Sequence, residues 1–505
     1  MASKQSVQLV LLHTNDIHGR HRPVEVSPGS ATSQTGDTGQ TVYEFDHDGR
    51  AGGFAALATA VQRIRRQHGA ENVILMDGGD TFSDDLLGNL TEGEAVIRLM
   101  NEVGYQFMAL GNHDFDYGTP RTRELQEIAR FPMRAANVLE RETGEPFLGD
   151  PTLVLEAGGL RIGLLALGYT NTPLTGNPKN IEPLEFVDGV EVARRYVPEL
   201  KQEADVVVVL SHQGTAMDEV LAEEVQEIDL IIGAHSHDWI PSTRFGRVWM
   251  VQAASDATVL GRTMLTIEDG RVTDVSSEID VLWLEEYPED ERVAQRVAEL
   301  RAPYRERLEE VIATAAEPIG RNYKSESPFD RLAGEIMRRR TGAAVSFMPG
   351  VGYGVTLRPG PITREALYTM IPHPAPLVTL EMSGEQIVST LEQTATNLKP
   401  KSSREVVGGL VQTSGVRYTL DLTQPLGQRV RDVSIGDEPI DGERAYPVVT
   451  NGGLLNGIHH YAAFAEGRNI ERTEMIVTEV VEEGLRQMGT VHAPAMGEVT
   501  LVRES

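Results

Sequence analysis

The sequence predicts a two-domain protein: an amino-terminal α/β domain over residues 1–286, a helical connector over 287–320 and a carboxyl-terminal α+β domain over 321–505. Three observations carry this expectation. Short apolar runs alternate with helical spacing through the first part of the chain. After residue 287 the pattern turns charged, with apolar residues every three or four positions. Beyond 321 a few helical stretches give way to short strand-like runs broken by Gly and Asp turns. The length agrees, because 505 residues exceed what one hydrophobic core usually supports.

Each element has its own local reason. The runs 7–12, 73–76, 107–110, 162–167, 206–210 and 230–232 are continuously apolar rather than alternating, as expected of strands buried on both faces of a mostly parallel sheet covered by helices. The Gly-rich and polar stretch 28–49 interrupts this pattern and reads as a surface excursion. In the connector, Val293, Val297, Leu300, Tyr304, Leu308 and Ile312 mark one face of an amphipathic helix, which Pro303 should kink or divide. Residues 327–340 read as a helix, and Ser383 with Gln386 forms a capping box ahead of a helix over 387–397.

Composition narrows the function. Hydrophobic residues make up 40% and charged residues 24% of the chain, and no apolar run approaches the roughly 18 residues of a membrane span. The opening residues lack a basic segment followed by a long apolar one, so any export signal lies outside this sequence; otherwise the protein is cytoplasmic. With no cysteine, disulfides, thiolate ligands and a cysteine nucleophile are excluded, and a bound metal must use oxygen and imidazole. A net charge of −29 argues against an extended nucleic-acid surface, so an anionic substrate needs a local source of positive charge.

Five short motifs each follow a strand-like run: Asp16-Ile-His18, Gly79-Asp80, Gly111-Asn112-His113-Asp114, Ser211-His212 and Gly233-Ala-His235-Ser-His237. In open α/β sheets the carboxyl ends of strands face the crevice where ligands bind, so motifs scattered in sequence should converge in space. A lone Asp-x-His or His-x-His is ordinarily a turn or a satisfied surface pair. Here five of thirteen histidines recur at the same structural position, which a purely structural role explains poorly. His13 and Asn15 are expected to orient the first motif, and Asp77 and Asp84 to cap turns.

These motifs resemble those of the calcineurin-like metallophosphoesterases, and within them the two-domain 5'-nucleotidase family. The resemblance implies a four-layer sandwich for the first domain and a substrate-binding second domain. It assigns Asp16, His18 and His237 to one divalent metal, Asn112, His212 and His235 to a second, and Asp80 to both. Manganese, zinc, iron and cobalt all suit such ligands. Two divalent ions bring about +4 and the two aspartates return about −2, so a positive centre arises inside an acidic protein. A water polarised between the ions then serves as nucleophile. His113 and Asp116 match the family's catalytic pair, with Asp116 fixing the imidazole that stabilises the phosphoryl charge or protonates the leaving oxygen. An N-cap by Asp114 or Asp116 is the plain structural reading of the same segment.

The second domain departs from the family pattern. The arginine expected shortly before Pro359-Gly-Pro-Ile-Thr363 falls on Gly354, which leaves Arg358 as its replacement. The first base-stacking aromatic falls on Leu410, and Tyr353, Tyr461 and Phe464 are the remaining stacking candidates. This domain also resembles that of the sulfate thiohydrolase of bacterial sulfur oxidation. The expected function is therefore hydrolysis of small-molecule phosphate esters, nucleoside 5'-monophosphates and 2',3'-cyclic nucleotides first among them. Sulfate release from a cysteine-bound carrier is one alternative, and a non-catalytic metal-stabilised binding protein is the other. The resemblance implies a periplasmic, secreted or cell-surface location, and nothing in the sequence sets the oligomeric state.

Overall fold

The computed structural model describes residues 6–28, 45–83, 85–268, 270–351 and 356–503. The chain divides into two compact units, one comprising Met1–Pro173 and Pro178–Arg305 and the other Leu174–Asn177 and Glu306–Ser505.

The first unit is built on two six-stranded sheets. In one, Ser6–Thr14, Val73–Asp77, Phe107–Ala109 and Met133–Arg134 run parallel, with Val259–Glu268 and Arg271–Val281 added antiparallel at one edge. In the other, Leu160–Leu167, Val206–Ser211, Leu230–Gly233 and Val248–Ala253 run parallel between two antiparallel edge strands, Thr152–Ala157 and Trp239–Phe245. The strands bury both faces, which is why their sequences read as unbroken apolar runs. Leu9, Leu11, Ile74 and Met76 meet Leu164, Ala166, Val208 and Leu210 in the core between the sheets. The alternate residues Val10, Leu12 and Leu75 face outward onto helices Phe54–His68 and Glu94–Val103. Leu165, Val207 and Val209 likewise face Gly189–Glu203 and Thr215–Glu224. Helix, sheet, sheet, helix is the expected four-layer order.

The connector is only partly the helix its spacing predicts. Glu291–Arg301 is helical, capped by the Asp290 carboxylate, and packs Val293 and Val297 into the first unit's core. Pro303 lies in the tight turn Ala302–Tyr304 that separates it from the short helix Arg305–Glu309. Ile312, expected on the helical face, sits instead in strand Val311–Ala315, which pairs with Gly360–Thr363 and Thr490–Val491. The β-branched residues Val311, Ile312 and Thr314 favour that outcome once the proline has ended the helix. Of the excursion at 28–49, residues 29–44 lie outside the described residues, while Val24–Val26 and Gly49–Ala51 pair antiparallel and Phe45 packs on Trp283.

The second unit contains a five-stranded sheet, ordered Gln412–Ser414, Val345–Met348, Ala445–Asn451, Pro376–Ser383 and Arg468–Ile476. Helix Pro328–Thr341 starts at Ser327, whose hydroxyl accepts from Asp330 N–H. Helix Gly384–Leu398 starts at the expected capping box, with Ser383 and Gln386 each accepting from the other's backbone. A four-stranded sheet completes the α+β unit.

Candidate metal centre

All five motifs lie on the loops that leave the carboxyl ends of the parallel strands. Thr14 leads to Asp16 and His18, Asp77 to Asp80, Ala109 to Asn112, Ser211 to His212, and Gly233 to His235 and His237. The loops are laced together by their backbones: Gly78 N–H donates to Thr14 C=O, Asp16 N–H to Gly79 C=O and His18 N–H to Asp80 C=O. Close approach demands glycine at two places. A Cβ on Gly111 would lie 2.1 Å from Asp80 Oδ1, and one on Gly79, whose φ is 98°, would meet Gly111 N at 2.5 Å.

The structure brings the ligand candidates into two groups, Asp16, His18 and His237, and Asp80, His212 and His235, with the donor atoms of each group within 4.8 Å of one another. His18 Nε2 and His237 Nε2 are 3.0 Å apart, and His237 Nε2 is 3.4 Å from Asp16 Oδ1. His212 Nε2 lies 3.2 Å from Asp80 Oδ2 and 3.9 Å from Asp16 Oδ1, so the two carboxylates draw the groups together. Five of the seven residues, Asp16, His18, Asp80, His235 and His237, hold φ between 48° and 72°. Left-handed backbone at non-glycine residues costs energy and persists where the surroundings impose it, as at ligand clamps.

Burial opposes ionisation of Asp16 and Asp80, yet the neighbouring imidazoles prevail and hold both carboxyls below the usual range. His212 shows the converse: burial lowers its pKa, but Asp80 and Asp16 push it up to about 9. The two carboxylates are thus ionised among imidazoles, a set of donors that a cation can share. The donor set fits a divalent ion in detail. The Asn112 carbonyl oxygen is buried with no hydrogen-bond partner among the described groups. His212 sets Nδ1 2.8 Å from Gly78 C=O, which fixes Nδ1–H as donor and directs Nε2 at Asp80, so Nε2 is the atom that would ligate a metal once its proton is displaced.

Beside these groups His113 Nδ1 sits 2.9 Å from Asp116 Oδ2. Asp16 and His212 are wholly buried, whereas the His113 and Asp116 side chains are 13% and 19% exposed, so this pair stands on the accessible face. His113 N–H also donates to Asp80 Oδ1, which ties the pair to the ligand loop.

Of the flanking residues, Asn15 does orient the first motif, donating to Asp16 Oδ2 at 2.7 Å and Ala254 C=O at 2.6 Å. His13 does not: it is a core histidine against Thr263, with its pKa pushed down to about 3 by burial. Asp77 caps its turn as expected, accepting from Gly79 N–H and the Thr14 hydroxyl, and Asp84 lies outside the described residues. Asp114 is more than an N-cap. Its buried carboxyl accepts from Asp80 N–H, Thr81 N–H and Gly111 N–H and so clasps two ligand loops together. Tyr169, stacked on His235, was missed altogether, although it follows the strand predicted over 162–167 and so shares the position that revealed the other motifs.

Three of the second-unit stacking candidates are buried in a core. Leu410, Tyr461 and Phe464 are 1%, 1% and 0% exposed, packed in the same core as Phe347 and Ile387. Tyr461 and Phe464 pack edge-on to each other there, their ring centroids 6.4 Å apart. Tyr353 and Gly354 lie outside the described residues. Arg358 is half-buried and directly follows Leu357, whose backbone exchanges hydrogen bonds with Ile319.

The fold and the paired donor groups define a two-domain phosphoester hydrolase. Comparison with known proteins agrees. The calcineurin-like phosphoesterase family model matches residues 9–239, and that of the 5'-nucleotidase C-terminal domain matches residues 311–466. The chain belongs to the 5'-nucleotidase family of calcineurin-like phosphoesterases. It is 26% identical to the trifunctional nucleotide phosphoesterase protein YfkN of Bacillus subtilis over 87% of this chain, and spans 33% of that longer protein. The solved 5'-nucleotidase precursor from Thermus thermophilus is 27% identical with a TM-score of 0.87, covering 99% of this chain and 100% of that one. The sulfate thiohydrolase SoxB of the same organism is 25% identical with a TM-score of 0.88, covering 98% and 97%.

Proposed function

We propose that this phosphoester hydrolase releases phosphate from nucleoside 5'-monophosphates and opens 2',3'-cyclic nucleotides, and that it works with two divalent metal ions. The observation that carries this reading is the pair of donor groups set beside the His113–Asp116 pair. Asp16, His18 and His237 would hold one ion and Asn112, His212 and His235 the other, with Asp80 shared. When bound there, such ions polarise a water and draw negative charge off the phosphoryl oxygens.

The chain's own residues do the rest. Asp116 accepts from His113 Nδ1–H and fixes the ring, which leaves Nε2 to face the phosphoryl oxygen or the leaving oxygen. Asp114 holds Asp80 and Gly111 in register, so the shared carboxylate stays aimed between the two groups. Arg358 is the second-unit residue proposed to contact substrate. Export beyond the cytoplasmic membrane is part of the proposal; among the described residues no helix is long and apolar enough to cross a membrane.

The likeness to SoxB favours one second reading, hydrolysis of a sulfate group from a cysteine-bound carrier. The test compares manganese-loaded protein on AMP, a 2',3'-cyclic nucleotide, bis-p-nitrophenyl phosphate and a cysteine S-thiosulfonate conjugate. Phosphate release from AMP is expected to be fastest. Turnover of the thiosulfonate alone would replace the main reading with the second.

A further inference from the structure

We propose that Tyr169 is a positioning residue whose ring holds His235 in its ligating orientation and raises the metal affinity of the group formed by Asp80, Asn112, His212 and His235. The inference rests on the reading of those residues as a metal site. Tyr169 lies just past strand Leu160–Leu167, the neighbour of Val206–Ser211, so the sheet itself delivers the ring to the loop end that carries His212. The turn is fixed by Thr172, whose N–H and hydroxyl both donate to Tyr169 C=O, at 3.2 and 2.6 Å. The side chain is buried, and its ring lies over that of His235 with centroids 3.8 Å apart and planes 29° from parallel.

This stack does for His235 what a hydrogen bond to Gly78 does for His212. The loop that carries the ring is itself tightly set, His235 holding a φ of 72° that is strained for a residue with a Cβ. The stack also discriminates between metal-free and metal-loaded imidazole. A ring coordinated to a divalent ion is electron-poor, and the face of a phenol is electron-rich, so the attraction grows on binding. A contact stronger in the loaded state adds to affinity, whereas one equal in both states would not. Supporting groups of this kind change metal affinity by tenfold or more, and a ring stack accounts for about three- to tenfold.

Titration of metal-free protein with manganese by calorimetry, for wild type, Tyr169→Phe and Tyr169→Leu, reads the effect directly. Wild type is expected to bind two ions. In Tyr169→Leu one of the two affinities should fall about three- to tenfold while the other stays within about twofold. Tyr169→Phe keeps the ring and should restore the lost affinity. If Tyr169→Leu fails to fold, Tyr169→Met, which keeps bulk without a flat ring, is read in the same way. Equal affinities in wild type and the Leu or Met variant would overturn the inference and leave the metal reading intact. A uniform loss at both sites would also overturn it, because that marks general loosening. Wild-type protein that binds no divalent ion would overturn the metal reading itself.

Discussion

Asp77 offers a prediction whose size follows from the structure. Its carboxyl is buried at the base of the ligand loops, accepting from Thr14, Thr81 and Gly79, and burial pushes its pKa up from 3.8 to about 7. The metal-free folded protein, the form to be assayed, thus keeps a proton that the unfolded chain releases above pH 3.8. Between those two values each pH unit costs the fold about 1.4 kcal/mol at this residue, and the whole interval costs about 4 kcal/mol. The contribution is intact below pH 3.8, declines as pH rises towards 7, and is fully lost above it. Asp77→Asn removes the proton but keeps the shape, so its stability relative to wild type should climb by about 2 kcal/mol from pH 5.5 to 7 and then level off. The slope with pH, not the offset, carries the information, because exchanging a carboxyl for an amide shifts both states by a constant. Urea unfolding followed by tryptophan fluorescence isolates the right event. All three tryptophans, Trp239, Trp249 and Trp283, lie in the first unit, so the second unit's unfolding is silent in this signal. A difference between the two proteins that does not change with pH would refute the argument.

Two further outcomes follow from the site. His113→Ala should lower kcat on p-nitrophenyl phosphate esters by about 10²–10⁴-fold while leaving two-ion binding by calorimetry unchanged, since His113 is not among the proposed ligands. Tyr461→Ala should destabilise the second unit by about 3–5 kcal/mol in urea, the cost of emptying a core ring site, with KM for AMP within about twofold. A large rise in KM at unchanged stability would instead restore Tyr461 as a base-stacking residue.

The convergence of the candidate ligands was legible in the sequence because each parallel strand ends in a loop, and the loops at one end of a sheet share one crevice. Strand ends at Thr14, Asp77, Ala109, Ser211 and Gly233 fall within two residues of the expected ones, so the motifs stayed attached to their strands. What the sequence hid is whatever depends on contacts across the sheet. His13 sits three residues before Asp16 but, still on the strand, faces Thr263 on the antiparallel neighbour. Asp114 looks like a cap locally and acts through Asp80, far off in sequence. Tyr461 and Phe464 carry the aromatic character of a binding face, and only burial distinguishes core from surface. Ile312 keeps helical spacing with its predecessors while its β-branched neighbours commit it to a strand.

Whether the seven residues hold two ions side by side, as proposed, can be read most directly from anomalous scattering by manganese-soaked crystals. Two anomalous peaks about 3.5–4 Å apart are expected, one among Asp16, His18 and His237, the other among Asn112, His212 and His235, with Asp80 between them. A single peak, or peaks away from these residues, would contradict the proposal.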